Sequence, residues 1–354
     1  MIQLARTLLT FLVITSGCLI ASCARNIKPV IPGPQVQTQN QAQASAQNYS
    51  DRPDVQAFIS RLVQQDGFER AWLEKTLASA QKKDAILAAI AKPYESKPWY
   101  QYESLFVNET RVNAGVNFWD MHVRDLANAQ QKYGVPASII IAVLGVESFY
   151  GRQKGGYPVL DTLTTLAFDY PSRAAFFQNE LEQYLLLCRE QSFDPASLTG
   201  SYAGAMGAPQ FMPDSYRQYA VTAASGSHPD IWDNWADIIN SVANYFHIHG
   251  WKPGGLVALP AALPTNQAPP ATLVPTTIGS LRQQGLIVSA GLDAGTPVIL
   301  VPLQMQNDIQ YWVGFDNFRV ITQYNKSPLY AMAVFDLSAR IAETRALEEH
   351  ADPP

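Results

Sequence analysis

One carboxyl group stands out by its place in the sequence. Glu147 lies in GVESFYGR, directly after the apolar run VPASIIIAVL of residues 135–144. Pro136 is typical of a first helical turn, so we predict a helix that ends near Glu147. A helix that is apolar on all faces is buried, and its C-terminal end carries the negative pole of the helix dipole. Both effects disfavour a carboxylate and therefore raise the pKa of Glu147.

A carboxyl group that keeps its proton near neutral pH has a specific use in catalysis. It can act as a general acid and protonate a leaving glycosidic oxygen. The residue type alone also allows a structural alternative, in which a charged Glu147 forms a local salt bridge, for instance with Arg152. Motifs elsewhere in the sequence are needed to distinguish the general acid from the structural salt bridge.

A second segment combines small residues with neutral polar ones. It is GSYAGAMGAPQFMPDSY, residues 200–216. Its glycines and alanines allow a close approach of the backbone, either in a structural turn or along a ligand. Ser201 and Gln210 place uncharged hydrogen-bonding groups in it, which suit the hydroxyl and acetamido groups of sugars. We favour the interpretation of a wall that faces a ligand.

Other catalytic patterns are scarce. The first carboxylates after Glu147 are Asp161 and Asp169, and the residues alone leave either open as a second catalytic carboxylate. His247 and His249 are two residues apart and do not share a helix face, which argues against a zinc site. HExxH, GxSxG, GxxxxGK[ST] and GxGxxG motifs are missing. We predict neither a metal nor a cofactor.

Composition limits the partners of this chain of 354 residues. Its net charge is −5 and no basic stretch stands out, so a nucleic-acid partner is not expected. Aromatic residues make up 11% of the chain and include 16 tyrosines. They fit a packed core, and they equally fit a cleft in which rings stack on sugars.

The N-terminus has the features of a lipoprotein signal. The apolar stretch Leu8–Ile20 is short for a membrane span and leads into LIASC, which ends at Cys23. We predict a signal peptide at 1–22, followed by an acylated Cys23 and a disordered tether, together residues 23–50. Attachment to a membrane would then be through lipid only. A plain secretory signal with an incidental cysteine is the alternative.

Helical patterns dominate the folded part. They run from residue 51 to about 256 and include an amphipathic stretch at 117–133, which predicts one helix. A proline-rich stretch follows, and then TPVILVPLQ and FRVITQY, which predict β-strands. Residues 329–345 again predict a helix. We therefore predict a mainly α fold of α+β type with a small β-rich insertion, in which Cys188 is a buried small apolar residue.

Four motifs in this order resemble the membrane-bound lytic murein transglycosylase B family. They are GVESFYGR, GSYAGAMGAPQFMP, SVANYF and YNKSPLYAMAV, within residues 98–342. The resemblance implies a lysozyme-like helical core with an additional helical domain. On this chain the expected parts are an N-terminal helical region at 51–135, the catalytic core at 136–255, a C-terminal region with the small β part at 256–345 and a tail at 346–354.

The same resemblance implies an activity. The family cleaves the β-1,4 bond between N-acetylmuramic acid (MurNAc) and N-acetylglucosamine (GlcNAc) in peptidoglycan and leaves a 1,6-anhydro end. Glu147 matches its single catalytic acid and base. Glycan strands are the implied partner, with other cell-wall enzymes as candidates, and the lipoprotein signal favours the periplasmic side of a Gram-negative outer membrane.

The resemblance also implies which residues bind the substrate. They are Ser201, Gln210, Tyr245, Tyr324, Tyr330, Tyr102, Arg173 and Phe211. Ser172 stands where some members carry a further arginine, which puts contacts to acidic parts of the substrate in doubt. Some members also have a calcium loop of EF-hand type, but the corresponding segment 221–233, VTAASGSHPDIWD, lacks most of the required acidic residues. We predict no tight calcium binding and a loop held by Ser and Asn hydrogen bonds.

Two other functions remain open at this stage. A non-catalytic peptidoglycan-binding scaffold would keep the substrate groove, but it would not need Glu147. A hydrolytic muramidase on the same fold would need a positioned water and usually a second carboxylate.

Overall fold

Residues 48–91, 97–224, 228–264 and 268–351 are described by the computed structural model of the chain. The predicted signal peptide, Cys23 and nearly all of the predicted tether lie outside these ranges. Within them, no helix has both the length and the apolar character needed to cross a membrane.

The first third of the described chain is helical. Its helices are α1 (Pro53–Asp66), α2 (Arg70–Ser79), α3 (Asp84–Ile90), α4 (Trp99–Phe106), α5 (Glu109–Met121) and α6 (Val123–Tyr133). The prediction of one helix at 117–133 is wrong, because the backbone leaves the helical conformation at His122 (φ −121°, ψ 24°). The imidazole of His122 lies 4.5 Å from the Phe118 ring and 5.5 Å from the Trp235 ring. Packing between distant segments thus overrides the local helical pattern.

The predicted apolar helix is the centre of the fold. It is α7 (Ala137–Ser148), and its side chains from Ile139 to Val146 are buried on every face. Helices α5 and α6 pack against it, as do two helices from later in the chain. The elements that follow are β1 (Tyr157–Pro158), α8 (Val159–Asp169), α9 (Ala174–Gln191), β2 (Thr199–Gly200), α10 (Pro213–Tyr219) and α11 (Trp235–Ile248). β1 and β2 pair antiparallel.

The C-terminal third contains the predicted small β part. Its elements are β3 (Ala258–Ala261), β4 (Pro275–Thr277), α12 (Ile278–Gln283), β5 (Pro297–Gln304), β6 (Ile309–Gly314), α13 (Asp316–Tyr324) and α14 (Pro328–Ala351). The four strands form an antiparallel sheet in the order β3-β6-β5-β4. Helix α14 packs along α7, and α11 contacts α7 from another side.

The strand prediction for FRVITQY, residues 318–324, is wrong, because this segment belongs to α13. Its buried side chains include Asn317, Phe318 and Ile321, which are spaced for one face of a helix. The Asn317 amide also accepts from Lys252 N at 2.8 Å and donates to Lys252 O at 2.9 Å, which anchors the start of the helix. β-branched residues therefore lie in a helix because its position is fixed by tertiary contacts.

Two apolar cores support these elements. The larger one is continuous from α1 to α14 and contains α7, and the smaller one lies between α12 and the sheet, around Leu281 and Leu300. The predicted mainly helical fold with a small β part is confirmed. Cys188 is buried and free, as predicted. The predicted boundaries at residues 135 and 255 stay a prediction.

Candidate active site

Glu147 lies in the last turn of α7 and keeps its side chain partly exposed between buried neighbours. Burial raises the pKa of this carboxyl from 4.5 to about 7, in the direction predicted from the sequence. Among the described residues it forms no ion pair, so the alternative of a salt bridge with Arg152 is not realised. The guanidinium of Arg152 lies instead over the Phe149 ring, 4.9 Å from its centroid.

The turn after Glu147 has an unusual backbone. Phe149 (φ 49°), Tyr150 (φ 57°) and Gly151 (φ 78°) are left-handed in succession, which costs about 1–3 kcal/mol for each residue other than glycine. Hydrogen bonds hold it: Tyr150 N donates to Leu144 O at 3.0 Å, and Gly151 N donates to the Ser148 hydroxyl at 2.9 Å. The turn ends α7 abruptly, so the carboxyl of Glu147 lies at a fixed helix terminus.

Arg111 fixes this turn from outside and was not predicted from the sequence. Its carbonyl accepts from the Tyr150 hydroxyl at 2.8 Å, and its guanidinium lies 4.9 Å from the Phe149 ring centroid. The Tyr150 ring can approach α7 only because Gly145 has no side chain, since a Cβ there would lie 2.7 Å from the Tyr150 hydroxyl. Arg111 thus contacts Phe149 and Tyr150, the two left-handed residues of the turn that are not glycine. Arg111 and Tyr150 are 39 positions apart in the sequence, so no local sequence pattern predicts their contact.

Tyr330 forms a direct hydrogen bond with the Glu147 carboxyl. Its hydroxyl donates to Glu147 Oε1 at 2.6 Å. Tyr330 is itself buried in α14, and burial raises the pKa of its hydroxyl well above the usual value, which keeps it a donor. The hydrogen bond favours the charged carboxylate and so limits the rise of the Glu147 pKa that burial causes.

Replacing Tyr330 by phenylalanine is therefore expected to raise the pKa of Glu147 further. The alkaline limb of the pH profile of kcat/KM should move up by about one pH unit, since a hydrogen bond to a charged group contributes ~1.5–3 kcal/mol. Tyr311→Phe, in the remote strand β6, is the matched control. An alkaline limb that stays in place or moves down would contradict the assigned role of the hydroxyl.

Three of the predicted binding residues form an aromatic cluster with Tyr330. The ring centroids of Tyr324 and Tyr330 are 6.4 Å apart and nearly parallel, and Tyr245 and Tyr324 are 4.7 Å apart. Phe211 lies 5.8 Å from Tyr245 and 5.9 Å from Tyr324. The structure therefore brings together residues that are more than 100 positions apart in the sequence. His249, stacked 4.0 Å from Tyr245, extends the cluster and was not predicted to take part in the site.

Hydrogen bonds to the backbone orient the tyrosines of this cluster. The Tyr324 hydroxyl donates to Pro209 O at 2.6 Å, and the Tyr245 hydroxyl donates to Gln323 O at 2.8 Å. Burial raises the pKa of Tyr245, Tyr324 and Tyr330, and the charge of Glu147 adds to each of these rises.

Ser201 and Gln210 lie in the predicted wall, and the side chain of each forms hydrogen bonds with nearby backbone groups. The Ser201 hydroxyl accepts from the backbone N–H groups of Ala203 (3.2 Å) and Ala205 (3.1 Å). The Gln210 amide donates to Lys154 O at 3.1 Å and to Gly207 O at 2.8 Å. Neither hydrogen-bonds the Glu147 carboxyl in this structure. The Ser201 hydroxyl proton and the Gln210 side-chain oxygen are the groups that they can offer to a substrate.

This wall is tied to the turn after Glu147 through Gly155. At Gly155 (φ 86°) a Cβ would lie 2.2 Å from the carbonyl carbon and oxygen of Gly200 and 2.5 Å from Ser201 N. Only glycine allows this contact, because the obstacle is backbone and the conformation is left-handed. At the neighbouring Gly156 a Cβ would meet no atom within 4 Å and φ is not positive, so this residue provides a control.

Gly155→Ala is expected to destabilise the protein by about 2–4 kcal/mol and to lower activity, because the wall that carries Ser201 must move. Gly156→Ala should change stability by less than about 0.5 kcal/mol. Urea unfolding of both variants checks the pair. Equal stability of the two would show that the contact between Gly155 and Gly200 is not required.

The remaining predicted binding residues are placed differently. Tyr102 is buried in α4 with its ring 4.9 Å from Phe106, and it lies near Tyr330, whose pKa a charged Tyr102 would raise. Arg173 is exposed, and its guanidinium lies over the Phe176 ring at 4.3 Å. Burial raises the pKa of Glu180 and the charge of Arg173 opposes that rise, whereas Arg173 does not contribute to the pKa of Glu147.

Asp161 and Asp169 interact with other residues and not with Glu147. Asp161 accepts from Gln81 N at 2.9 Å and lies 3.3 Å from Lys83 Nζ. Asp169 pairs with the Arg52 guanidinium at 2.9 Å and accepts from the Tyr49 hydroxyl. No carboxylate among the described residues contributes to the raised pKa of Glu147, whose cause is burial.

The segment that matches the calcium loop is held largely by aspartate. Asp237 is buried, and its two oxygens accept from Ala223 N at 2.7 Å and Asp230 N at 3.0 Å. Asn234 accepts from two backbone N–H groups at the start of α11, and the Ser241 hydroxyl accepts from Val221 N. Asp237 thus holds the described residues on both sides of 225–227, and Asn234 and Ser241 act beside it. That Ser and Asn residues of the loop hold its shape stays a prediction, because 225–227 lie outside the described residues. In the ranges that the structure covers, no three His, Cys, Asp or Glu side chains are grouped as metal ligands.

Comparisons with known proteins agree with this fold. The chain is 37% identical over 346 residues to membrane-bound lytic murein transglycosylase B of Escherichia coli K12, covering 92% of this chain and 96% of that one. The structure is similar to that of catenated lytic transglycosylase SltB1 from Pseudomonas aeruginosa, with a TM-score of 0.79, 45% identity and coverage of 84% of this chain and 99% of the other. SltB3 from the same organism, in complex with NAG-anhNAM-pentapeptide, has a TM-score of 0.72 at 26% identity, with coverage of 84% and 80%.

The fold and these relatives define the class, an enzyme of the lysozyme-like lytic murein transglycosylases. The family described as Transglycosylase SLT domain matches residues 50–339, and the chain belongs to this family.

Proposed function

We propose that the chain cleaves the β-1,4 bond between MurNAc and GlcNAc in peptidoglycan by internal transfer to a sugar hydroxyl. In the first step Glu147 gives its proton to the bridging oxygen, the bond from this oxygen to C1 of MurNAc breaks, and GlcNAc leaves with a free hydroxyl. In the second step the Glu147 carboxylate takes the proton of the C6 hydroxyl while O6 bonds to C1. Glu147 regains its proton, and the product is a 1,6-anhydro-MurNAc end.

The observation that carries this proposal is a single carboxyl that burial holds at a pKa of about 7 with no second carboxylate contributing. Such a group is protonated in part of the population at neutral pH and can work in both directions. A hydrolase with two carboxylates has one for each task. Here the internal hydroxyl replaces the water, so one group suffices.

The surrounding residues would bind the sugars on either side of the bond. Ser201 and Gln210 offer one donor and one acceptor from the wall, and Tyr245, Tyr324 and Phe211 offer aromatic surface. Tyr330 would stabilise the carboxylate after it has released its proton. Tyr102 and Arg173 remain proposed substrate contacts, with Arg173 at a periphery where acidic groups of the peptide could reach it. The acetamido group of the substrate would help to stabilise the positive charge at C1.

The proposed location of the protein rests on its N-terminal sequence and on the name of one relative. We propose that Cys23 is lipidated and anchors the chain at the periplasmic side of the outer membrane. The N-terminal LIASC box and the name of the E. coli relative, membrane-bound lytic murein transglycosylase B, support this. Peptidoglycan glycan strands are the proposed partner, and other cell-wall enzymes are candidates.

Digestion of purified sacculi tests the proposed reaction. The muropeptides that the full chain releases should carry anhydro ends when their masses are measured. Hydrated reducing ends would support the muramidase, and binding without release would support the scaffold. The NAG-anhNAM-pentapeptide bound by SltB3 is a molecule of the expected product type.

A further inference from the structure

A separate cavity of about 440 Å³ lies where the turn between α1 and α2 meets the C-terminal end of α9. Its lining includes Phe68, Glu69, Trp72, Arg189, Ser192 and Phe193. None of these residues belongs to the site around Glu147. The volume is within the ~300–1,000 Å³ of small-molecule sites.

One side of this cavity is a stack of three flat groups. The Arg189 guanidinium lies 4.1 Å from the Phe68 ring centroid, and the Trp72 ring centroid lies 5.5 Å from that of Phe68, with the two rings within 10° of parallel. Arg189 Nη1 also donates to Asp66 O at 2.8 Å. The stack is therefore fixed without a ligand, which reduces the entropy lost on binding. Trp72 remains partly exposed.

Polar groups surround the stack. Glu69 precedes α2 but makes no side-chain capping hydrogen bond there. Ser192 is left-handed (φ 57°) just past the end of α9.

We infer that this cavity is a second carbohydrate site, which binds an uncharged N-acetylhexosamine unit of a glycan strand. The apolar face of a sugar ring would lie on Trp72, while its hydroxyl and acetamido groups would meet Arg189, Glu69 and Ser192. One cation and one carboxylate balance each other at the cavity, which favours a neutral ligand over a highly charged one. The inference rests on the proposed function, because that function brings the chain to a glycan polymer.

A second contact would keep the enzyme on its polymer between cuts. Binding at one site raises the effective concentration of the strand at the other, so the affinity for sacculi exceeds that for short fragments. The second site should therefore matter for polymeric substrate and not for a short soluble one.

The stoichiometry of binding to a GlcNAc tetramer tests the site. In the full chain with Glu147→Gln, calorimetry should show two bound tetramers. Addition of Trp72→Ala and Arg189→Ala should leave one, whereas addition of Arg70→Ala, a surface arginine of α2 outside the cavity, should leave two. One bound tetramer before these additions, or two after Trp72→Ala and Arg189→Ala, overturns the inference. Arg189→Gln alone, with thermal melting as a check of folding, replaces the double variant if it is unstable.

Activity separates this inference from the proposed function. With Glu147 intact, Trp72→Ala and Arg189→Ala should weaken binding to sacculi about tenfold relative to Arg70→Ala. Cleavage of a soluble tetrasaccharide serves as the reference in each protein. Unchanged sacculus binding, or a loss that appears only on sacculi that retain peptide stems, refutes a carbohydrate site. Failure of the unmodified chain to release muropeptides would instead refute the proposed function.

Discussion

Replacement of Glu147 by glutamine is expected to lower the release of muropeptides by about 10³-fold or more, with the fold intact. Glutamine has nearly the same shape and can still accept from Tyr330, but it can neither give nor take the proton. General acid and base catalysis contributes ~10²–10⁴-fold for one role, and here both roles are lost. The variant should still bind sacculi, because the proposed sugar-binding side chains are unchanged.

Glu180→Gln is the matched control for this experiment. Glu180 is buried between α9 and α10, its pKa is likewise raised to about 7 by burial, and its Oε2 accepts from Asp214 N at 3.1 Å. Glu180 hydrogen-bonds the backbone of Asp214 and does not contribute to the raised pKa of Glu147, so its variant should retain activity within about threefold. Wild-type activity in Glu147→Gln would refute the assignment, and equal losses in both variants would point to a general structural effect.

The second large effect of Glu147→Gln is on the stability of the fold, which should rise whereas activity falls. Glu147→Gln is expected to stabilise the folded chain at pH 8 by about 2 kcal/mol. The carboxyl has a pKa of about 7 in the folded state, against an ordinary value of 4.5. Between these values the folded state holds the proton and the unfolded state has released it. Stability therefore falls as the pH rises through this window, by up to roughly 3 kcal/mol for this group. Partial exposure reduces this amount.

Urea unfolding at pH 4 and pH 8 measures this prediction. Wild type and Glu147→Gln should be nearly equal at pH 4, where the carboxyl is largely protonated in both states, and should differ at pH 8. Glu180→Gln should show the same pH dependence while keeping activity. A difference between wild type and Glu147→Gln that is the same at both pH values would contradict a raised pKa. A substitution that abolishes activity and at the same time stabilises the fold is typical of active sites, where function requires an unfavourable local arrangement.

The local part of the candidate site could be predicted from the sequence. The apolar run around Ile140, the proline before it and the position of Glu147 together predicted the helix, its end and the raised pKa. These properties depend on contiguous residues. The succession of left-handed residues after it could not be predicted, because local hydrogen bonds are joined there by contacts of Phe149 and Tyr150 with the distant Arg111.

The distant part of the site was accessible only through the resemblance. Tyr330 reaches Glu147 across 183 positions, and no periodicity indicates which helix will lie beside α7. The same limit explains the two wrong elements. The chain bends at His122 because its ring packs on Trp235, and α13 forms where β-branched residues suggested a strand because Asn317 and Phe318 are fixed by the core.

Digestion of sacculi in water enriched in ¹⁸O tests the central claim most directly. If the Glu147 carboxylate takes the proton of the C6 hydroxyl while O6 attacks C1, the new MurNAc ends are 1,6-anhydro and contain no ¹⁸O. We predict this result for the full chain across the active pH range. Products with one ¹⁸O at C1 of MurNAc would show that water is the nucleophile and would contradict the single-carboxyl mechanism.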